Sequence, residues 1–289
     1  MVAHHGGMKS SYIRDVVRRA LAEDTGRGDV TTRALVPAGV RATADIVSRE
    51  PVVVCGQAIA REVFRQVDRG VRYRARVRDG MRVGPGEAVA RIEGPARALL
   101  TGERTALNFL QQLSGISTLT ARFVALAGPK VRVLDTRKTT PGLRLMEKYA
   151  VRCGGGTNHR IGLFDRVLIK DNHRAFWAGH AGAPLADAVR AARRAYPKLT
   201  IEIEVDSPDE LRDALEGRPD WVLLDNMSPV RLRECVRINR GRARLEASGG
   251  VSLKTLARIA ATGVDAVSVG ALTHSAPACD LSLEFMNHA

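Results

Sequence analysis

Residues 201–225 read IEIEVDSPDELRDALEGRPDWVLLD. A short apolar run over 201–204 ends on a carboxylate, residues 208–215 return at helical spacing, and a second run over 221–225 again ends on a carboxylate. This is a strand, a helix and the next strand, and the pattern repeats on both sides. Further runs occupy 131–135, 167–170, 245–248 and 266–270, with helical segments at 185–195, 229–238 and 253–261. Strands covered on both faces read as continuous apolar runs, and their alternation with helices predicts a parallel sheet. In a βα barrel the reactive residues come from the C-terminal ends of strands, so Asp135, Lys170, Glu204, Asp225 and Ser248 are expected at one mouth. Six runs are fewer than eight, which predicts an open, incomplete TIM-like α/β barrel with room for an unseen strand near 157–161.

Upstream the pattern is mixed. Ile13, Val16, Val17, Ala20 and Leu21 share one face of a helix that Ser10 or Ser11 can cap and that stops near Asp24-Thr25-Gly26. Residues 42–55 are rich in β-branched side chains and read as one or two strands; 58–67 is helical, with Ile59, Val63 and Phe64 in phase. The turn-rich stretch 79–94, DGMRVGPGEAVARIEG, is similar to lipoyl and biotinyl carrier domains but has no lysine to carry the cofactor, which leaves a compact β unit. A long helix over 102–127 is expected to bridge two domains. The predicted division is an N-terminal α/β sandwich-like domain over 1–115, joined by the C-terminal tail 276–289, and an α/β-barrel domain over 116–275.

The 289 residues are 45% hydrophobic and 26% charged, an ordinary globular composition that excludes disorder, collagen and coiled coil. No window has the roughly 18 apolar residues of a membrane span, and the first nine residues, with His4 and His5, are too polar for a signal peptide. A cytoplasmic protein is expected. Cys55, Cys153, Cys235 and Cys279 lie far apart in sequence without paired spacing, so neither a zinc motif nor a redox CxxC is written, and reduced thiols are expected. The net charge of +14 is uneven: residues 1–115 carry +7, 116–174 carry +8 and 175–289 carry −1. A cationic block beside a nearly neutral half points to a focused anion site, and no nucleic-acid motif accompanies it.

Within that block, Asp135-Thr136-Arg137-Lys138-Thr139-Thr140-Pro141-Gly142-Leu143-Arg144 gathers three cations and three threonine hydroxyls after a strand. It reads as an anion cradle, although Thr-Thr-Pro-Gly also makes an ordinary turn. Gly155-Gly156-Thr157-Asn158-His159-Arg160 and Ile169-Lys170-Asp171-Asn172-His173 follow, without the Gly-Lys-Ser/Thr of a P-loop. With Glu23-Asp24 through Gly28-Asp29-Val30-Thr31-Thr32, Glu103-Arg104-Thr105-Ala106-Leu107-Asn108, Glu202-Ile203-Glu204-Val205, Leu224-Asp225-Asn226-Met227, Glu246-Ala247-Ser248-Gly249-Gly250 and Ser268-Val269-Gly270-Ala271-Leu272-Thr273-His274-Ser275, these stretches run in order through nearly the whole chain. Together they resemble the quinolinate phosphoribosyltransferase (nicotinate-nucleotide pyrophosphorylase, carboxylating) family.

The resemblance implies a pentosyltransferase of NAD biosynthesis: phosphoribosyl passes from phosphoribosyl pyrophosphate to the quinolinate ring nitrogen, and nicotinate mononucleotide, pyrophosphate and CO2 result. It implies Mg²⁺ and at least a homodimer. Arg104, Arg137, Lys138, His159, Arg160 and Lys170 match the family's quinolinate positions, with Arg104 reaching the partner's site in trans. Glu204, Asp225, Ser248, Gly249, Gly250, Gly270 and Ala271 fall to the phosphoribosyl pyrophosphate half. Glu204 and Asp225 also meet the metal, mostly through water and substrate, and Lys138, Lys170, Glu204 and Asp225 are the expected catalytic set. The alternative is the molybdenum-transport-associated paralogue of the same fold, with a different acceptor. Physics asks for the same residue types: arginine grips a carboxylate through two parallel hydrogen bonds, and strand-end acids favour a cationic centre at the ribose.

Overall fold

A computed structural model describes residues 8–177 and 183–286; the His4–His5 leader lies outside them. In chain order the elements are α1 (Ser10–Thr25), α2 (Val30–Leu35), β1 (Arg41–Ser48), β2 (Val52–Val53), α3 (Gln57–Val67), β3 (Arg72–Ala75), β4 (Arg82–Val83), β5 (Ala88–Pro95), α4 (Ala96–Ala127), β6 (Arg132–Leu134), α5 (Arg144–Cys153), β7 (Val167–Ile169), α6 (Asp171–Phe176), α7 (Leu185–Ala195), β8 (Ile201–Val205), α8 (Pro208–Glu216), β9 (Trp221–Asp225), α9 (Pro229–Asn239), β10 (Arg244–Ser248), α10 (Leu256–Ala260), β11 (Ala266–Ser268), α11 (Ala271–His274) and β12 (Leu281–Phe285). The described residues form two compact units, one containing Arg122–Lys138 and Gly156–Leu272, the other residues 8–121, Thr139–Gly155 and residues 273–286.

The latter unit is built on an antiparallel sheet ordered β12-β1-β5-β3. The chain's last strand pairs with its first: Ala44 opposes Phe285 and Ser48 opposes Leu281. Ile59, Val63 and Phe64 of α3 are buried, and α1 packs on α3 with Ile13, Val16, Val17 and Leu21 inside. Full burial of each such side chain contributes roughly 1.5–3 kcal/mol. Neither Ser10 nor Ser11 caps α1; Lys9 occupies the N-cap without a side-chain bond. The turn-rich stretch forms β4 and β5, with β4 paired to β2.

The other unit is a six-stranded sheet ordered β6-β11-β10-β9-β8-β7, parallel at every pairing. Ile201, Ile203, Val222, Leu224, Ala266 and Val267 are fully buried, which is why these strands read as apolar runs. Ser207 and Ser228 cap α8 and α9, their hydroxyls accepting the Glu210 and Arg231 N–H, and each is followed by a proline whose fixed φ suits the first turn. Among the described residues the sheet does not close through a named strand between β6 and β7. The strand sought near 157–161 is an isolated bridge, Thr157 beside Leu134, because the chain there bends at once to carry His159 and Arg160 inward. The helix expected over 253–261 begins only at Leu256; Ser252 and Thr255 make a polar turn before it. The helix expected from Gly102 starts at Ala96.

Candidate active site

Six parallel strands end on one edge of the sheet, and polar side chains lie at or within one residue of those ends. Lys170 follows β7, Glu204 lies near the end of β8, Asp225 ends β9, and Ser248 ends β10 directly beside Asp225 in register. Side chains alternate along a strand, so Glu202 and Glu204 share a face, as do Glu246 and Ser248. The result is two tiers, with Glu202 and Glu246 deeper and Glu204, Asp225 and Ser248 nearer the edge. Lys170 Nζ donates to Glu204 Oε2 at 2.6 Å. Asn226, in the left-handed region at φ 52°, donates its side-chain amide to Asp225 Oδ2 at 2.7 Å and its backbone N–H to the Ser248 carbonyl at 2.9 Å. That backbone bond ties the end of β9 to the end of β10. Gly249 follows at φ +89°, and a Cβ there would meet Asn226 Oδ1 at 2.0 Å, so only glycine fits.

Beneath this edge lies a buried polar cluster. Asp135, fully buried, accepts the Asn158 side-chain amide at 2.6 Å and the His159 N–H at 2.8 Å, which holds 158–160 against the end of β6. The His159 Nδ1 accepts the Arg160 N–H at 2.8 Å. The ring proton then sits on Nε2, which is 3.1 Å from Glu202 and 3.3 Å from Glu246. Arg166 completes the set, its Nε 3.2 Å from Glu202 and its guanidinium stacked 5.0 Å from the Trp221 ring centre. Burial and the Arg160 bond oppose a second proton on His159, but Glu202 and Glu246 outweigh them and raise its pKa to about 9. Burial raises the Glu202 carboxyl, reinforced by the charge on Glu246, whereas Glu246 is held low against its burial by His159. A second ring proton would set two cations against the two carboxylates but would break the Arg160 N–H bond to Nδ1, so the geometry shown is that of the neutral ring.

The arginines nearby are arranged differently. Arg160 is 8% exposed, and its pKa is lowered by burial first and by the charge of Arg137 second, with Arg166 adding to the repulsion and Glu202 and Asp165 opposing it. Two guanidiniums therefore share a partly desolvated space, which favours an anion between them. Arg137 sits in the loop after β6, half-buried, and Lys138 beside it is exposed, its N–H bonded to the Thr136 hydroxyl at 3.0 Å.

Two domain models match in order. The N-terminal domain of quinolinate phosphoribosyl transferase matches residues 29–114, and its C-terminal domain matches 116–284. The chain belongs to the quinolinate phosphoribosyltransferase family. It is 47% identical over 278 residues to the nicotinate-nucleotide pyrophosphorylase (carboxylating) of Mycobacterium leprae, covering 94% of this chain and 96% of that one. A probable nicotinate-nucleotide pyrophosphorylase of Bacillus subtilis is 38% identical over 96% of this chain and 94% of its own. Among solved structures, that of the nicotinate-nucleotide pyrophosphorylase from Francisella tularensis superposes with a TM-score of 0.91 at 41% identity, covering 96% and 98% of the two chains.

Of the residues that the family resemblance singled out, Arg137, Lys138, His159, Arg160, Lys170, Glu204, Asp225, Ser248, Gly249, Gly250 and Gly270 belong to the parallel-sheet unit, as does Ala271 at the start of α11. Arg104 is exposed on α4, within the other unit. His159 is the one whose placement changes its reading: Nδ1 accepts from the backbone and Nε2 faces two carboxylates. Glu202, Glu246 and Arg166 had no assigned role in the sequence. For the two acids a signal was present, since Glu202 and Glu246 each interrupt an apolar run and an acid there has to find a buried partner.

Proposed function

We propose that the chain transfers phosphoribosyl from phosphoribosyl pyrophosphate to the ring nitrogen of quinolinate, with loss of the 2-carboxylate. The observation that carries this is Arg160, nine-tenths buried and repelled by Arg137. A compact dicarboxylate relieves that repulsion and takes charge-assisted hydrogen bonds worth roughly 1.5–3 kcal/mol each. In this reading Arg137 and Arg160 grip the carboxylates, Lys138 and Lys170 border both substrates, and His159 with Glu202 and Glu246 fixes the loop that presents Arg160. The relatives' names favour quinolinate over the acceptor of the molybdenum-transport paralogue.

On the donor side, the turn at Ser248-Gly249-Gly250 suits a phosphate group, because its glycines let backbone N–H groups approach closely; Gly270 and Ala271 extend it. Glu204 and Asp225 face the ribose and favour the cationic character that grows at the anomeric carbon as pyrophosphate leaves. Hard carboxylate oxygens on neighbouring strands also fit Mg²⁺, with Glu204 and Asp225 holding it mostly through water and substrate oxygens. When bound, the ion neutralises charge on the departing pyrophosphate. Once the ring nitrogen carries ribose, the cationic ring accepts the electron pair released at carbon 2, so decarboxylation follows from the transfer. The same reading makes the protein a cytoplasmic homodimer in which Arg104 completes the partner's quinolinate site. Incubation with quinolinate, phosphoribosyl pyrophosphate and Mg²⁺ should yield nicotinate mononucleotide, pyrophosphate and CO2 in equal amounts. Absence of the nucleotide from a folded preparation rejects the assignment.

A further inference from the structure

Cys55 and Cys153 are 98 positions apart in the chain, yet their sulfurs lie within 4.8 Å of each other. Asp79 joins them: one donor atom from each of Cys55, Asp79 and Cys153 lies within 4.8 Å of the other two. All three belong to the same compact unit. We propose that Cys55, Asp79 and Cys153 form a binding site for a thiophilic divalent cation of the zinc class, with water as the fourth ligand.

Three features of the surroundings support it. The carboxylate is already oriented from behind. Asp79 Oδ1 accepts the Gly56 and Gln57 N–H groups at 3.0 and 3.1 Å, and Oδ2 accepts the Tyr149 hydroxyl at 2.8 Å. Hydrogen bonds of this kind hold a ligating carboxylate in place and leave one lone pair on Oδ2 for a metal. The three backbone segments are also pinned together. Gly80 donates to the Val54 carbonyl at 2.8 Å, and at φ +88° it packs so closely that a Cβ would lie 3.3 Å from the Cys153 carbonyl. Finally, Cys153 is the last residue of the ten-residue α5, where the helix dipole favours positive charge.

The ligand chemistry is selective. Two sulfurs and one oxygen suit zinc and exclude magnesium and calcium, which take oxygen ligands. Cys55 is fully buried, while Cys153 and Asp79 are half-exposed, which provides the entry path and the water position. Arg152, next to Cys153, lies 5.7 Å from the Tyr149 ring centre. Among the described residues a second convergence of donors, His159 with Glu202 and Glu246, differs in already holding Arg166.

The test uses the full-length chain, reduced and stripped of metal, and Co²⁺ as probe. One equivalent of Co²⁺ should give a thiolate-to-cobalt charge-transfer band, which histidines in the leader cannot produce, and Zn²⁺ should displace it with release of protons. Bound metal should raise the unfolding temperature increasingly as its concentration exceeds Kd. Cys153→Ser should abolish the band, Tyr149→Phe should weaken binding about 10–100-fold, and Cys235→Ser should leave it unchanged. A folded, reduced chain with no such band, or with the same band in Cys153→Ser, overturns the site. Because the readouts are spectroscopic and thermal, they stand whether or not quinolinate is the acceptor.

Discussion

Lys170 and Glu204 form an ion pair at 2.6 Å across neighbouring strands, although the family resemblance assigns the lysine to the acceptor and the acid to the donor. The Lys170 side chain is 42% exposed, so the pair itself adds little to stability, about 0–1 kcal/mol after solvent screening. In the proposed function it holds both groups ready at the boundary between substrates. Lys170→Ala should therefore leave the unfolding temperature within a few degrees of the parent while turnover falls by roughly 100-fold or more. Thermal unfolding and initial rates on the same preparation check this; a large loss of stability without a comparable loss of rate contradicts it.

The pairing also separates the two strand-end acids. Asp225→Ala should reduce turnover and leave quinolinate binding without donor nearly intact, because Asp225 is bonded to Asn226 and the acceptor cations are untouched. Glu204→Ala releases the Lys170 amine, so quinolinate should bind somewhat more tightly while turnover still falls. Calorimetry with quinolinate alone distinguishes them. Loss of quinolinate binding in folded Asp225→Ala would place that acid on the wrong substrate.

Acceptor choice follows from Arg137 and Arg160. A monocarboxylate relieves the repulsion between the two guanidiniums less fully than a dicarboxylate does, which lowers its affinity. Quinolinate should be used at least about 100-fold better than nicotinate in kcat/KM. Comparable values for the two acids would reject the proposed acceptor.

The parallel strands were legible because burial on both faces makes them continuous apolar runs, and the polar residues at or just past their ends marked the edge of the sheet. α5 was not. Its middle holds Glu147 and Lys148, both buried, so charged letters occupy positions where helical spacing calls for apolar ones. β12 was hidden because its partner, β1, lies more than 200 residues earlier. In the site, the residue types at strand ends carried the reading, but pairing did not: nothing local links Lys170 to Glu204, or His159 to Glu202 and Glu246. The cysteines show the same limit. Sequence spacing offered no zinc motif, whereas the fold brings Cys55, Asp79 and Cys153 together.

Acid stability should carry the mark of one cross-strand pair. Arg91 on β5 opposes Asp45 on β1 in register and donates from Nε and Nη2 at 2.8 and 2.7 Å. The Arg91 hydrogen bonds hold the Asp45 carboxyl below its ordinary 3.8, against a smaller effect of burial. A carboxyl depressed in the folded state contributes stability that is present above the unfolded value and is lost as pH falls through the folded one. Asp45→Asn should cost about 0.5–1 kcal/mol near neutral pH, and the difference from the parent should shrink below pH ~4. Urea unfolding at several pH values measures this, and a difference independent of pH rules the ion pair out as its cause.

Assembly can be tested by mixing defective chains. Arg104→Ala and Arg137→Ala should each be inactive alone if both arginines serve the quinolinate site. If Arg104 acts in trans within a two-fold dimer, each mixed dimer holds one site with both arginines intact and one with neither. Random reassortment of equal amounts makes half the dimers mixed, so about a quarter of all sites should become active. If Arg104 acts in cis, no assortment rebuilds a complete site. Refolding the mixture, with exchange verified by differently tagged subunits, decides between them: activity that stays at the level of the separate variants despite demonstrated exchange rejects the trans arrangement.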